Sequence, residues 1–197
     1  MSTFLDIVMS TILFGILALT VARVQTNINS SMCQNQFSVV VQTNAVELAR
    51  QLEWDFAKIG HHVTGQKVLW ADSTSIRFLA DLTNTSTVDD VRYFLGDTSQ
   101  LPATTNPIDV PMFRRVGLYA VKQNWGLTQF RITYYDAAYN KIPTPITTPE
   151  KLQRIHAINI GFRIESPEPV YSEHDTTWAA VTWEKMIIPR NLNNLNY

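Results

Sequence analysis

The chain has 197 residues, enough for one domain with a sizeable core and one further element. Its 16 basic and 17 acidic side chains leave a net charge of −1, and no basic run exceeds Arg114-Arg115, so the clustered cations that meet a nucleic-acid backbone are absent. The composition is that of a folded protein, and a single cysteine, Cys33, excludes an internal disulfide, leaving packing or neighbouring chains to hold the structure.

The first element is apolar. Residues 7 to 22 of "MSTFLDIVMSTILFGILALTVARVQTN" carry no charge, and an acid, Asp6, stands directly before them. A cleaved secretory signal would open on a basic segment. "MSTFLD" has no base, so the segment is expected to be retained. With its flanks it approaches the ~20 residues that span a bilayer.

The same helix is expected to continue far beyond that run. All nine prolines lie at or after Pro102, and between Gly15 and Gly60 there is neither glycine nor proline. Val24, Ile28, Met32, Val39, Val46, Ala49, Leu52, Phe56 and Ile59 recur at spacings near three and four, the stripe of an amphipathic helix. Gly60 is the stop signal. A helix over residues 3–59 would be roughly 85 Å long, more than one compact domain can house, so part of it must project. From residue 24 to residue 46 it carries no charge at all. A helix facing water normally does, so this stretch predicts surrounding protein, including copies of the same chain.

After Gly65 the period shortens to two. "IHAINIGFRIES" alternates Ile158, Ile160, Phe162 and Ile164 with polar residues or glycine, and "QFRITYYD" sets Phe130, Ile132 and Tyr134 on one face. "SIRFLADL", "DVRYFLGD" and "TWAAVTWEKMII" read as further strands, separated by the turn-rich "TNTST", "LPATTNPIDVP", "NKIPTPITTP" and "SPEP". One-sided alternation predicts an antiparallel sheet with one face covered, and helix residues 48–59 are the expected cover. The fold class is therefore α+β, a long N-terminal α-helix packed on an antiparallel β-sheet. Three segments follow: residues 1–27 as the hydrophobic half-helix, 28–60 as the amphipathic half, and 61–197 as the sheet domain.

No catalytic constellation emerges. His61-His62 suggests metal binding, but adjacent histidines usually point apart and no Cys or Glu follows at ligand spacing, so a surface turn is expected. His156 is expected at the core edge and His174 in a loop. Cys33 is expected to be small, buried and apolar, and no Cys–His or Ser–His–Asp set can be assembled. Trp70, Trp125, Trp178 and Trp183 are expected in the sheet core in preference to a binding groove.

A long helix, first apolar and then amphipathic, leading into an antiparallel sheet resembles the type IV pilin and pseudopilin family. "STFLDIV" aligns without gaps with the F-T-L-I-E-V-L pattern that begins mature members, placing Asp6 on the family's acid, and "ILFGILAL" resembles the stretch that follows. "LARQLEWDFAKIG", the hairpin "IRFLADLTNTSTVDDVRYFLGD" and "WEKMIIPRNL" are similar to W-type minor pilins and J-type pseudopilins. The resemblance implies a structural subunit of a pilus or pseudopilus, major or minor, anchored in the cell membrane and then part of an extracellular filament. Its partners would be copies of itself or other pilin-like subunits, met through the N-terminal helix. It implies no enzymatic activity and no cofactor.

In that family the acid pairs with the N-terminal ammonium of the adjacent subunit, which makes Asp6, Ser2 and Met1 the assembly residues here. Counting from Ser2 the acid is fifth, the family's register; counting from Met1 it is sixth. Read without the resemblance, Asp6 is an acid near a helix N-terminus, worth about 0.3–1 kcal/mol with the macrodipole. Some relatives carry a calcium loop at the hairpin, but "DLTNTSTVDD" has Asp81, no further acid until Asp89 and no glycine, so a plain turn is expected. The alternative to a filament subunit is a monomeric membrane-anchored binding module on a helical stalk.

Overall fold

The computed structural model describes residues 2–101, 104–171 and 176–192. One helix, α1 (Ser2–Ala57, 56 residues), is about 84 Å long at 1.5 Å per residue. Its last turn tightens, Lys58 and Ile59 N–H donating to the carbonyls of Asp55 and Phe56. The chain then leaves through Gly60 at φ +79°, where a Cβ would stand 2.7 Å from Lys67 Cδ. The expected stop signal is therefore a steric one.

The strands follow as β1 (Val68–Ala71), β2 (Ile76–Ala80), β3 (Asp89–Leu95), β4 (Val110–Val116), β5 (Tyr119–Tyr135) and β6 (Lys141–Ile142). A short helix, α2 (Pro149–Gln153), precedes β7 (Ala157–Glu165), β8 (Val170–Tyr171), β9 (Thr176–Thr177) and β10 (Ala180–Ile187). The main sheet is antiparallel in the order β1-β2-β3-β4-β5-β7-β10, with β6 also paired to β5, while β8 and β9 pair separately. The α+β class and the antiparallel sheet packed on the helix are as the alternation predicts.

Two strands escape that reading. β4 begins inside a segment expected to be a turn because it contains Pro107 and Pro111, and β5 starts ten residues before the alternating "QFRITYYD". The reason lies at Gly126, a bulge at φ +76° whose Cβ would sit 2.4 Å from the Glu165 carbonyl oxygen. Around it the pairing of β5 shifts, against β4 between Gln123 and Leu127 and against β7 between Leu127 and Gln129, so the alternation is lost on the N-terminal side. Buried Glu165 at this bulge is held by Arg163 Nε at 2.6 Å and Asn106 Nδ2 at 2.9 Å.

The core joins one face of α1 to one face of the sheet. Val41, Ala45, Leu48, Ala49, Leu52, Phe56 and Ile59 are buried against Phe78, Tyr93, Met112, Leu127, Ile132 and the β7 isoleucines. Val39 and Val46, assigned to the stripe by spacing alone, are exposed, because the face that meets the sheet runs through Val41 and Ala45. The tryptophans are not the core. Trp70 is 38% exposed, and Trp125, Trp178 and Trp183 are partly buried, while Tyr93, Tyr134, Phe56 and Phe78 fill the interior. Bulk and the indole N–H keep the larger ring at the margin, where Trp183 stacks on Phe162 at 5.0 Å.

An ionic clamp lies inside this interface. Asp55, 1% exposed, accepts from Arg114 Nε at 2.6 Å and Nη2 at 3.1 Å, and from the Tyr93 hydroxyl at 2.5 Å. Gln51 Nε2 donates to Tyr93 Oη at 3.2 Å and exchanges hydrogen bonds with Gln123. Burial, reinforced by the Asp55 charge, pushes the Tyr93 hydroxyl well above its usual value, which keeps it a donor. Burial pulls Arg114 down, but its hydrogen bonds to Asp55 and Tyr93 and their charges together outweigh that and raise it. Asp55→Ala leaves the guanidinium uncompensated and should cost about 3–5 kcal/mol in thermal unfolding, whereas an Asp55→Leu/Arg114→Met double variant should recover much of that loss.

The β2–β3 loop is closed by a second buried acid. Asp81 Oδ1 accepts from Thr85 N–H at 3.1 Å, and Oδ2 accepts from Ser86 N–H at 2.8 Å and from His62 Nδ1 at 2.8 Å. Burial alone would raise this carboxyl, but the hydrogen bonds from His62, Ser86 and Thr85 lower it to about 2 from an unfolded value of 3.8. A depressed carboxylate stabilises the fold above the unfolded value and loses that contribution as pH falls through the folded one. The melting temperatures of the wild type and Asp81→Asn should therefore differ at pH 5 and converge toward pH 2.

Candidate assembly surface

Burial of α1 starts at Val41, and the helix before it projects about 60 Å from the sheet. Its large apolar side chains stand in the open: Phe4 74%, Phe14 73% and Leu19 67% exposed, with Ile28 and Met32 more than half exposed further along. This is one helix long and apolar enough to cross a membrane. A contiguous apolar surface of this extent is far beyond the few hundred Å² that a soluble monomer exposes.

Apart from Asp6 and Arg23 the polar residues along it are neutral, and several hydroxyls turn inward. Ser10 and Thr11 donate to the Ile7 carbonyl at 2.9 and 2.7 Å, Thr20 to Leu17 at 2.8 Å, Thr26 to Ala22 at 3.0 Å and Thr43 to Val39 at 2.8 Å. A hydroxyl satisfied by its own helix needs no water and can face lipid or protein. Composition explains why β-branched and hydroxyl residues, mediocre helix formers, are tolerated here.

Asp6 is the only ionisable side chain between Thr3 and Ala22, exposed and without an ion pair among the described residues. It is the fifth residue of α1, just past the first turn in which the macrodipole acts most strongly. Met1 lies outside the described residues, as do the side chain of Ser2 and the loop carrying His174. Cys33, expected to be buried, is exposed on the projecting part because no element of the same chain reaches it. His156 sits at the core edge, its ring edge-on to Tyr139 at 5.8 Å.

His61 and His62 lie in the expected turn, His62 exposed, but their ring directions depart from expectation. Their rings stack at 4.0 Å instead of pointing apart, and His62 is bonded to Asp81. The cause is backbone conformation: His62 has φ +55°, two residues after Gly60 at +79°. The acid comes from 19 residues downstream, beyond the reach of any local spacing rule.

No known family model matches the chain, and no curated protein is significantly similar to it. The assembly surface thus stands on its geometry. Removal of residues 1–27 should give a folded monomer soluble without detergent, since the core begins at Val41; size-exclusion chromatography and circular dichroism check this.

Proposed function

We propose that the protein is a structural subunit of an extracellular type IV pilin-like filament, held in the cell membrane by α1 and then packed through it against other subunits. The observation that carries this reading is the uncharged stretch 24–46, most of it exposed and lying beyond the length a bilayer needs. A bilayer would cover about the first 20 residues of the helix. The next turns would stand in water with Val24, Ile28, Met32 and Val39 exposed. A bundle of parallel helices from neighbouring subunits removes that cost, at roughly 25 cal/mol per Å² of apolar surface buried. The resemblance of "STFLDIV" to the start of mature pilins supports the same reading.

In such a bundle Asp6 cannot remain unpaired, since an isolated carboxylate in an apolar medium is expensive. A terminal ammonium from the adjacent subunit would neutralise it and set the axial register. The stalked monomeric module shares the membrane span but gives residues 24–46 no reason to be uncharged.

Asp6→Ala separates the two. Filaments should vanish or shorten sharply by electron microscopy while the membrane-bound protein stays at normal abundance, because one member of a pair is lost at every contact, typically about 3–5 kcal/mol. Asp6→Glu should assemble. Normal filaments from Asp6→Ala would refute the pairing, and loss of the protein from the membrane would favour the stalk.

A further inference from the structure

Outside the assembly surface, one cluster of ligating side chains stands out. One ring nitrogen each from His61 and His62 and a carboxylate oxygen of Asp81 lie within 4.8 Å of one another. His62 Nδ1 is 2.8 Å from Asp81 Oδ2. His61 Nδ1 is buried and has no hydrogen-bond partner among the described residues, the kind of orphan that calls for an explanation. Beside the two histidines opens a cleft of roughly 1010 Å³, also lined by Gln66, Lys67, Gln153 and Asn191.

We propose that His61, His62 and Asp81 bind a divalent d-block cation, with Zn²⁺ as the best fit. Two imidazoles and one carboxylate are a donor set that zinc accepts, at about 2.0–2.2 Å from each atom. Ligands at that distance and a tetrahedral angle stand about 3.4 Å apart, so side-chain rotations bring these three atoms onto one ion. Both histidines line the cleft, which leaves room for a fourth ligand from solvent. Calcium and magnesium, which want oxygen ligands, are disfavoured by the two imidazoles.

The supports of the site are already in place. The Thr85 and Ser86 amides fix the Asp81 carboxylate from behind, as outer-shell partners fix metal ligands elsewhere. The left-handed conformation of His62 holds both rings on one side of the turn. Two nearby cations are tied elsewhere: Lys67 Nζ donates to the Asn191 carbonyl, and Lys58 Nζ to the Leu82 carbonyl at 2.7 Å. Metal entry at His62 Nδ1 takes the tautomer protonated on Nε2: a neutral ring moves its proton from Nδ1 to Nε2, and only a protonated ring releases one to solvent. The ion then joins the exit of α1 to the β2–β3 loop.

The test uses the full chain in detergent micelles, without a histidine tag, titrated with Co²⁺ and then Zn²⁺ alone. One Co²⁺ per chain should bind with visible d–d absorption, and Zn²⁺ should abolish the band by displacement. His61→Gln, which removes no hydrogen bond made by Nδ1, should keep the circular dichroism spectrum and weaken binding by at least about tenfold, in the 10–100-fold range that loss of even an outer-shell partner causes. His62→Ala should do the same. The proposal is overturned if the wild type takes up no stoichiometric Co²⁺, if His61→Gln binds as tightly as wild type, or if Ca²⁺ displaces Co²⁺ at equal concentration.

Discussion

The arrangement depends on the seating of the last third of α1 on the curled sheet. Without that contact the sheet would have one apolar face in water and the helix no reason to hold its direction. Six apolar residues of α1, from Val41 to Phe56, enter the core together with Ile59 just after the helix, and hydrophobic burial supplies the energy. Apolar packing alone, however, tolerates slippage of a helix along a sheet. The bidentate grip of Arg114 on Asp55, with Tyr93 donating to the same carboxylate, has one geometry only. A shift of one helical turn would leave a buried carboxylate unpaired, which costs more than most single contacts contribute. The clamp thereby fixes where the helix leaves the domain and in which direction its free part points.

That fixed exit gives the free part of α1 its meaning. A projecting helix serves as an assembly element only if each subunit presents it at the same angle. Asn44 Nδ2 to the Trp125 carbonyl at 3.2 Å and Lys185 to Glu53 at 2.8 Å add further ties near the point of departure. These are weaker, the second being a surface pair worth about 0–1 kcal/mol. Before Val41 no hydrogen bond or ion pair among the described residues ties the helix to the sheet domain. The transition from charged to uncharged side chains, at Glu47 going toward the N-terminus, falls within one to two turns of the first buried residue, Val41. The two boundaries nearly coincide because one surface is built for water and the other is not.

Much of this was legible from the sequence. The missing breakers between Gly15 and Gly60 gave the helix, and period-two alternation in "IHAINIGFRIES" and "QFRITYYD" gave the central strands, because local pattern and tertiary burial agree there. The failures have a common physical source. Pro111 in β4 lay in a segment that read as a turn, yet it sits at a shift of register, where a strand tolerates it. Asp55 and Arg114 are separated by 59 residues, and nothing in either neighbourhood marks them as partners. A helix acid and a strand base each look like ordinary surface residues until the fold superposes them. The uncharged span was the most readable part of the candidate assembly surface, since it is a property of composition and needs no partner.

The histidine pair shows the same limit from the other side. Side-chain direction along a chain is inferred from backbone type, and His62 adopts a conformation that few non-glycine residues occupy. The residue is over-determined there by Gly60 before it and by the hydrogen bond to Asp81, which lets the surroundings sustain a strained backbone. A turn that only needed to end a helix would place glycine at both positions and leave the loop acid to its own amides. Here the second left-handed position is a histidine, its ring is stacked on another, and both face a buried carboxylate. Helix exit, loop closure and ligand geometry thus converge on three residues, and a cation bound there would stiffen the turn from which α1 departs.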